Sequence, residues 1–410
     1  MSCCHDCSAE IAHMPPVLDG NNFERSQWDK PYKVQAETCS ASDKPPMSRK
    51  LALYFDGTWN KQRDGTNVYR LFQLTVSQRS FRGSFSPFRL KLSEEPQAQS
   101  SESDQIKYYH RGVGVHWGEK ILGGAFGFGL SRNIKEGYLW LAQHYQPGDD
   151  VFVFGFSRGA YTARSLVGLI RKCGFARPQP LAVLEALTKK AYEIYREKQW
   201  LPDGREADAF RKTYSWPETR IKFLGVWDTV GALGLPVHQV PFSSDNYRWH
   251  DTELSRMVEN AFHAMALDEH RPDFNATVWS NAKQPAPGQT VEQRWFAGAH
   301  ADVGGGYRDG KVHQLPLRWM QEKAKACGLK FGQDVQIEPD AHLSPIHDSL
   351  RDFALGLYAK LPWIYPNNRR LHLGINETID DSVWARIDSD NGRNENGQKY
   401  SPPPLAGRPR

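Results

Sequence analysis

The run Val151-Phe152-Val153-Phe154-Gly155-Phe156-Ser157-Arg158-Gly159 constrains the fold of this chain more than any other segment. Apolar residues, all β-branched or aromatic, run straight into Gly-x-Ser-x-Gly, the pattern of a buried strand ending in a sharp turn before a helix. In such a turn the serine takes a strained backbone conformation that aims its hydroxyl outward. The two glycines stand where a side chain would meet the neighbouring strand and helix. After Gly159, the apolar residues Ala160, Ala163, Val167 and Ile170 recur at helical spacing, so the strand–turn–helix context is present. Ser157 is therefore a candidate nucleophile, with a purely structural Gly/Ser turn as the alternative.

Other apolar runs of strand length also end in polar residues. Lys50–Phe55 ends at Asp56-Gly57-Thr58-Trp59-Asn60, Arg220–Trp227 ends at Asp228, and Arg294–Gly298 leads into Ala299-His300-Ala301-Asp302; Ile106–His110 is a further strand. Helical spacing appears at Ile134, Tyr138, Leu141 and Tyr145 (capped by Ser131, closed by Pro147-Gly148), at Leu184, Leu187, Ala191 and Ile194, over 252–266 (Leu254, Met257, Val258, Ala261, Met265), and from Leu315 to Cys327. The glycine-rich stretch from Gly112 to Gly129 does not open a βαβ dinucleotide unit; it reads as a flexible apolar loop suited to lining an acyl-chain site. Residues 84–105 and 200–219 read as a surface loop and a loop-rich insertion. Strands alternating with helices predict a mainly parallel sheet covered on both faces, with ligands bound beyond the carboxyl ends of its strands. The expected organisation is an N-terminal cysteine-containing tail or docking arm (1–48), a catalytic domain (49–365), and a partly disordered C-terminal extension (366–410).

A serine hydroxyl needs a base to become a nucleophile, and the base needs a carboxylate to fix its tautomer. Ser157, Asp228 and His300 follow one another in the chain order of an α/β-hydrolase triad. That makes the expected fold α/β-hydrolase-like, with loop and helix insertions. Asp302 as acid and His347 as base keep the same order and stay open as a competing pair. For the oxyanion hole, which needs two preorganised N–H donors, the candidates are the backbone of Arg158 and that of Gly57 or Thr58. Asp56 is expected to brace the Gly57–Thr58 loop rather than act as acid or base itself.

Composition limits the partners. The chain has 410 residues, a formal net charge of +5, 12% aromatic residues and 13 tryptophans. That charge fits an anionic membrane surface or an acidic partner, but no dense Lys/Arg stripe argues for nucleic acid. No run approaches the roughly 20 apolar residues of a membrane span. The start of the chain lacks the pattern of a secretory signal, which leads to the expectation of a cytoplasmic protein unless a signal-free export route carries it. Six scattered or tail cysteines suggest reduced thiols. The cluster Cys3, Cys4, His5 and Cys7 has no second ligand pair to complete a zinc site. No metal or cofactor is expected; calcium stays open without being indicated.

Four long motifs occur in order: Leu53-Tyr54-Phe55-Asp56-Gly57-Thr58-Trp59-Asn60, then Gly155 to Arg164, then Gly225 to Gly234, then Trp295 to Tyr307. Ala266-Leu267-Asp268-Glu269-His270-Arg271 lies between the last two. Over about residues 50–365 the chain resembles the α/β-hydrolase domain of type VI secretion phospholipase effectors, of the first lipase-effector family. The resemblance implies a serine phospholipase of the A type acting on membrane phospholipid, with Ser157 as nucleophile, Asp228 as acid and His300 as base. It also implies delivery by a contractile machine into a rival's periplasm, a spike protein as carrier, and an immunity protein protecting the producer. The competing functions are an intracellular esterase or thioesterase with the same triad, and a non-enzymatic docking module.

Overall fold

A computed structural model describes residues 48–57, 65–84, 91–95, 104–112, 124–230, 253–280, 284–352 and 365–407. The tail with Cys3, Cys4, His5 and Cys7, and Thr58 of the proposed oxyanion hole, lie outside these residues. In chain order the elements are β1 (Lys50–Phe55), α1 (Asn67–Leu74), β2 (Arg79–Ser84), β3 (Lys91–Glu95), β4 (Gln105–His110), α2 (Gly124–His144), β5 (Asp150–Phe156), α3 (Arg158–Cys173), α4 (Leu181–Arg196), α5 (Arg205–Tyr214), β6 (Ile221–Trp227), β7 (Val258–Ala266), β8 (Thr290–Phe296), α6 (His300–Gly304), α7 (Gln314–Ala326), α8 (Ser349–Asp352), β9 (Glu377–Ile379) and α9 (Asp381–Asp388).

The strands form one sheet in the order β9-β8-β7-β6-β5-β1-β4-β2-β3. Every neighbouring pair is parallel except β2 with β3 at one edge. Alternate residues of a strand face opposite sides, and the core divides accordingly. Leu51, Leu53, Phe55, Val151 and Val153 pack with α2, α3, α4 and α5. Ala52, Tyr54, Phe152, Phe154 and Phe156 pack with α1 and α7 on the other face. The sheet is therefore covered on both faces, as the alternation of strands and helices predicts.

Register brings the strand ends together. Phe55 pairs with Gly155, Phe156 with Trp227, Trp227 with Ala264, and Ala266 with Phe296. Asp56, Ser157 and Asp228 each follow directly on one of these residues, and His300 follows β8 after three residues. All four thus stand on one edge of the sheet.

Five expectations are corrected. The segment 84–105, read as a surface loop, contains β3 (Lys91–Glu95), paired antiparallel with β2 at the sheet edge. The segment 252–266 is not a helix: its second half is β7, paired on both sides and buried from Ala261 onward. A strand buried on both faces reads as a continuous apolar run and satisfies helical spacing by default. Helix α2 begins at Gly124, so Ser131 lies inside it rather than capping it. Tertiary context there overrides the low helix propensity of Gly124, Gly127 and Gly129. Residues 200–219 contain α5, which buries Ala207 and Phe210. The polar residues after about 380 include a capped helix, α9, and the buried Val383, Tyr400 and Leu405 belong to a core cluster with Met265, Leu267 and Trp295.

Candidate active site

Ser157 stands between β5 and α3 at φ 58°, ψ −123°, a left-handed conformation that costs an L-residue of order 1–3 kcal/mol. The glycines on either side permit it. A Cβ on Gly155 would lie 2.5 Å from Gly159 O, and one on Gly159 would lie 2.6 Å from Asp56 O and closer still to Phe55 O. The amide of Ser157 donates to Trp227 O at 3.1 Å, tying the turn to the end of β6. Arg158 opens α3, so its N–H belongs to the first helical turn, which has no carbonyl partner within the helix.

Asp228 follows β6 and is fully buried, with φ 31°. Its Oδ1 accepts the Ala266 amide at 3.0 Å; its Oδ2 accepts His300 Nδ1 at 2.6 Å and Arg369 Nη2 at 2.8 Å. Burial alone would raise its pKa, but the Arg369 guanidinium and the His300 ring outweigh it and hold the carboxyl at about 2. A carboxylate only accepts, so Nδ1 of His300 is the protonated nitrogen. Burial also lowers the His300 pKa against the pull of Asp228, which favours the neutral ring. In that tautomer Nε2 is the acceptor. It carries no hydrogen bond among the described residues, and none joins it to Ser157. Catalytic hydrogen bonds are often long before substrate binds.

The ring is held on its other sides. Phe156 lies 4.7 Å away centroid to centroid, and Phe274 meets it edge-on at 5.2 Å. Arg271 caps Phe274, its guanidinium 3.5 Å from the ring centroid. Glu269 Oε2 accepts the His300 amide at 3.2 Å and the Ser349 hydroxyl at 2.7 Å, while Arg271 clamps Glu269 at 2.8 and 2.9 Å. Burial would push Glu269 up, but Arg271 draws it down to about 2.

The competing pair is also formed, with different chemistry. His347 Nδ1 lies 2.7 Å from Asp302 Oδ1, Nε2 lies 3.2 Å from Asp309 Oδ1, and Tyr307 stacks on the ring at 3.6 Å. Burial lowers the His347 pKa, but the two carboxylates outweigh it and raise it overall. With both nitrogens turned to carboxylates, neither is left to accept a proton from a serine. Asp302 Oδ2 is occupied by the Ala299 and His347 amides at 2.9 Å each.

Asp56 braces its loop: Oδ1 accepts the Gly57 amide at 2.8 Å, and Oδ2 accepts Thr66 and Tyr109 hydroxyls at 2.7 Å each. The Gly57 amide is thus directed at Asp56 rather than at the site. Among the described residues no group of three or more His, Cys, Asp or Glu is arranged to hold a metal ion, and no helix is long and apolar enough to cross a membrane.

Sequence reasoning missed Arg369, which sits in the polar stretch Asn367-Asn368-Arg369-Arg370, where Arg370 is exposed. No local signal separates the two arginines. It also gave no role to Glu269, Arg271 or His263, although the first two lie in a quoted motif. His263 accepts the Thr229 amide at 3.1 Å beneath the site. Burial and Arg164 push its pKa down to about 3, so it is a neutral support.

Comparison with known proteins adds a family. A family model described as "T6SS, Phospholipase effector Tle1-like, catalytic domain" matches residues 49–323. The Saccharomyces cerevisiae protein YEL023C, itself uncharacterized, is 26% identical over 282 residues, which is 63% of this chain and 36% of that one. The chain thus spans little more than a third of that relative. Two solved structures are distant likenesses. The Tle1 effector bound to the VgrG spike of the type 6 secretion system has 16% identity, covers 68% of this chain and 56% of that one, and gives a TM-score of 0.32. A putative cell surface hydrolase from Lactobacillus plantarum WCFS1 has 9% identity, covers 69% and 93%, and gives 0.35.

Proposed function

This chain belongs to the family of Tle1-like catalytic domains of type VI secretion phospholipase effectors, and from that premise we propose that it is a serine phospholipase using Ser157, His300 and Asp228. The observation that carries the reading is the Nδ1–Oδ2 contact of 2.6 Å between His300 and Asp228, at the sheet edge where Ser157 is held in its strained turn.

The geometry supports the following sequence. Nε2 of His300 takes the proton of Ser157 Oγ as Oγ attacks the ester carbonyl. Asp228 stabilises the imidazolium that forms. The Arg158 amide and a second donor, for which Thr58 remains the candidate, receive the oxyanion. The imidazolium returns its proton to the leaving lysophospholipid alkoxide, leaving an acyl-serine. A water, deprotonated by His300, then releases the fatty acid and restores the hydroxyl.

Family membership supports an antibacterial role: carriage by a spike protein, action on phospholipid in a target cell's periplasm, and a cognate immunity protein in the producer. The second reading is the same triad acting on a soluble ester or thioester. Hydrolysis of phospholipid vesicles, with products resolved by acyl position, separates the two. Release of one fatty acid per lipid at a rate above that on short soluble esters is the expected result. Activity on soluble esters alone overturns the phospholipase reading.

A further inference from the structure

The C-terminal segment reaches the catalytic edge through one buried cation. Arg369 is 5% exposed and lies beyond residue 323, where the family match ends. Its Nη2 donates to the same Asp228 oxygen that accepts His300 Nδ1, at 2.8 Å against 2.6 Å. Its Nε and Nη1 are buried without a hydrogen bond among the described residues. A guanidinium removed from water and held by a single hydrogen bond is a poor stabiliser of a fold. Such a group beside a triad carboxylate calls for a functional account.

The charged groups around His300 come from every element packed on it. Asp228 and Arg369 face its Nδ1 side. Glu269, clamped by Arg271, holds its amide. Asp302, two residues further along α6, is turned to the Ala299 and His347 amides and the His347 ring. His263 lies below Thr229. Asp228 is the strongest charged influence on the His300 ring, Arg271 and Glu269 act on it in opposite directions, and Arg369 reaches it through the Asp228 oxygen that both groups bond.

We propose that Arg369 is a positioning residue for the triad, pinning the Asp228 carboxylate and setting the pH at which His300 becomes a free base. The proposal rests on the triad reading above. Without the cation, no guanidinium draws on the Asp228 oxygen that holds His300, so the carboxylate charge acts more strongly on the ring and holds its proton to higher pH.

The test is the pH dependence of Ser157 labelling by a fluorophosphonate, a serine-directed reagent that needs no lipid, on the full chain with S157A as blank. In Arg369→Gln the acid limb is expected to move up by about one pH unit, and the plateau to fall about tenfold as Asp228 loses an orienting partner. Arg369→Lys keeps the charge, so its limb stays with that of wild type while its plateau falls. A merely structural arginine would lower the plateau without moving the limb, and an unmoved limb in folded Arg369→Gln overturns the proposal. So does loss of the folded state in both variants, read by thermal melting. Absence of labelling in wild type overturns the triad reading itself, and this proposal with it.

Discussion

Ser157 occupies a backbone conformation that ordinary residues avoid, and the neighbours that force it there are small because nothing larger fits. This part of the site is legible from sequence, since two glycines flanking a serine after a buried strand have few other uses. The prediction at this scale concerns Gly159. Gly159→Ala would drive a methyl into the backbone carbonyls of Phe55 and Asp56. Backbone cannot swing aside as a side chain does, so the substitution is expected to lose about 3 kcal/mol or more in denaturant unfolding. Wild-type stability would show that β1 yields at this point. Arg369 marks the limit of legibility. Its burial depends on where a polar segment docks after the rest of the sheet is built, and adjacent Arg370 carries the same local pattern while staying exposed.

At the scale of elements, β1, β5 and β6 are readable because each is a short apolar run ending at a polar residue, and their register delivers Asp56, Ser157 and Asp228 to one edge. Strand β7 is not readable in the same way. Burial of both its faces removes the period of two, and without a polar residue directly at its end to mark it as a strand the run fits a helix equally well. Helix α6, which carries His300, is too short to announce itself in sequence; it is positioned by α1. Asn67, the first residue of α1, donates from Nδ2 to Val303 O at 2.9 Å and His313 O at 3.0 Å, all within the buried interior. Asn67→Ala removes both bonds, taking the side-chain donor from Val303 O while His313 O keeps the Leu317 amide at 3.2 Å, and is expected to lose about 2 kcal/mol of stability. Because α6 loosens with it, kcat on a soluble ester should fall while KM holds. Unchanged kcat with lowered stability would confine Asn67 to a structural role.

Among the described residues the C-terminal segment packs against the motif beside the site, and pH dependence reports that contact. Asp268 accepts the Gly298 amide at 2.6 Å and the Tyr400 hydroxyl at 2.8 Å, both on Oδ2, joining the Asp268–Arg271 motif to the C-terminal segment. Burial pushes its pKa from 3.8 up to about 6, against those two donors. The folded state therefore binds this proton more tightly than the unfolded chain, and the stability from this group falls as pH rises from about 4 to about 6. Asp228 and Glu269, each held at about 2, act in the opposite direction. Their stabilisation is present above their unfolded values and is lost as pH falls through about 2. Asp268→Asn keeps an oxygen for both donors and carries no charge. It is expected to be more stable than wild type at pH 7 by about 1–3 kcal/mol, with no advantage at about pH 4. An equal effect at both pH values would assign the change to packing. The account as a whole rests on Ser157 as the nucleophile. The most direct measurement is hydrolysis of phospholipid vesicles by wild type beside Ser157→Ala, both as the full chain. Wild type is expected to release fatty acid and lysophospholipid, and the variant to be slower by on the order of 10⁶-fold, at background. A Ser157→Ala protein that hydrolyses lipid at the wild-type rate would contradict the account at its centre.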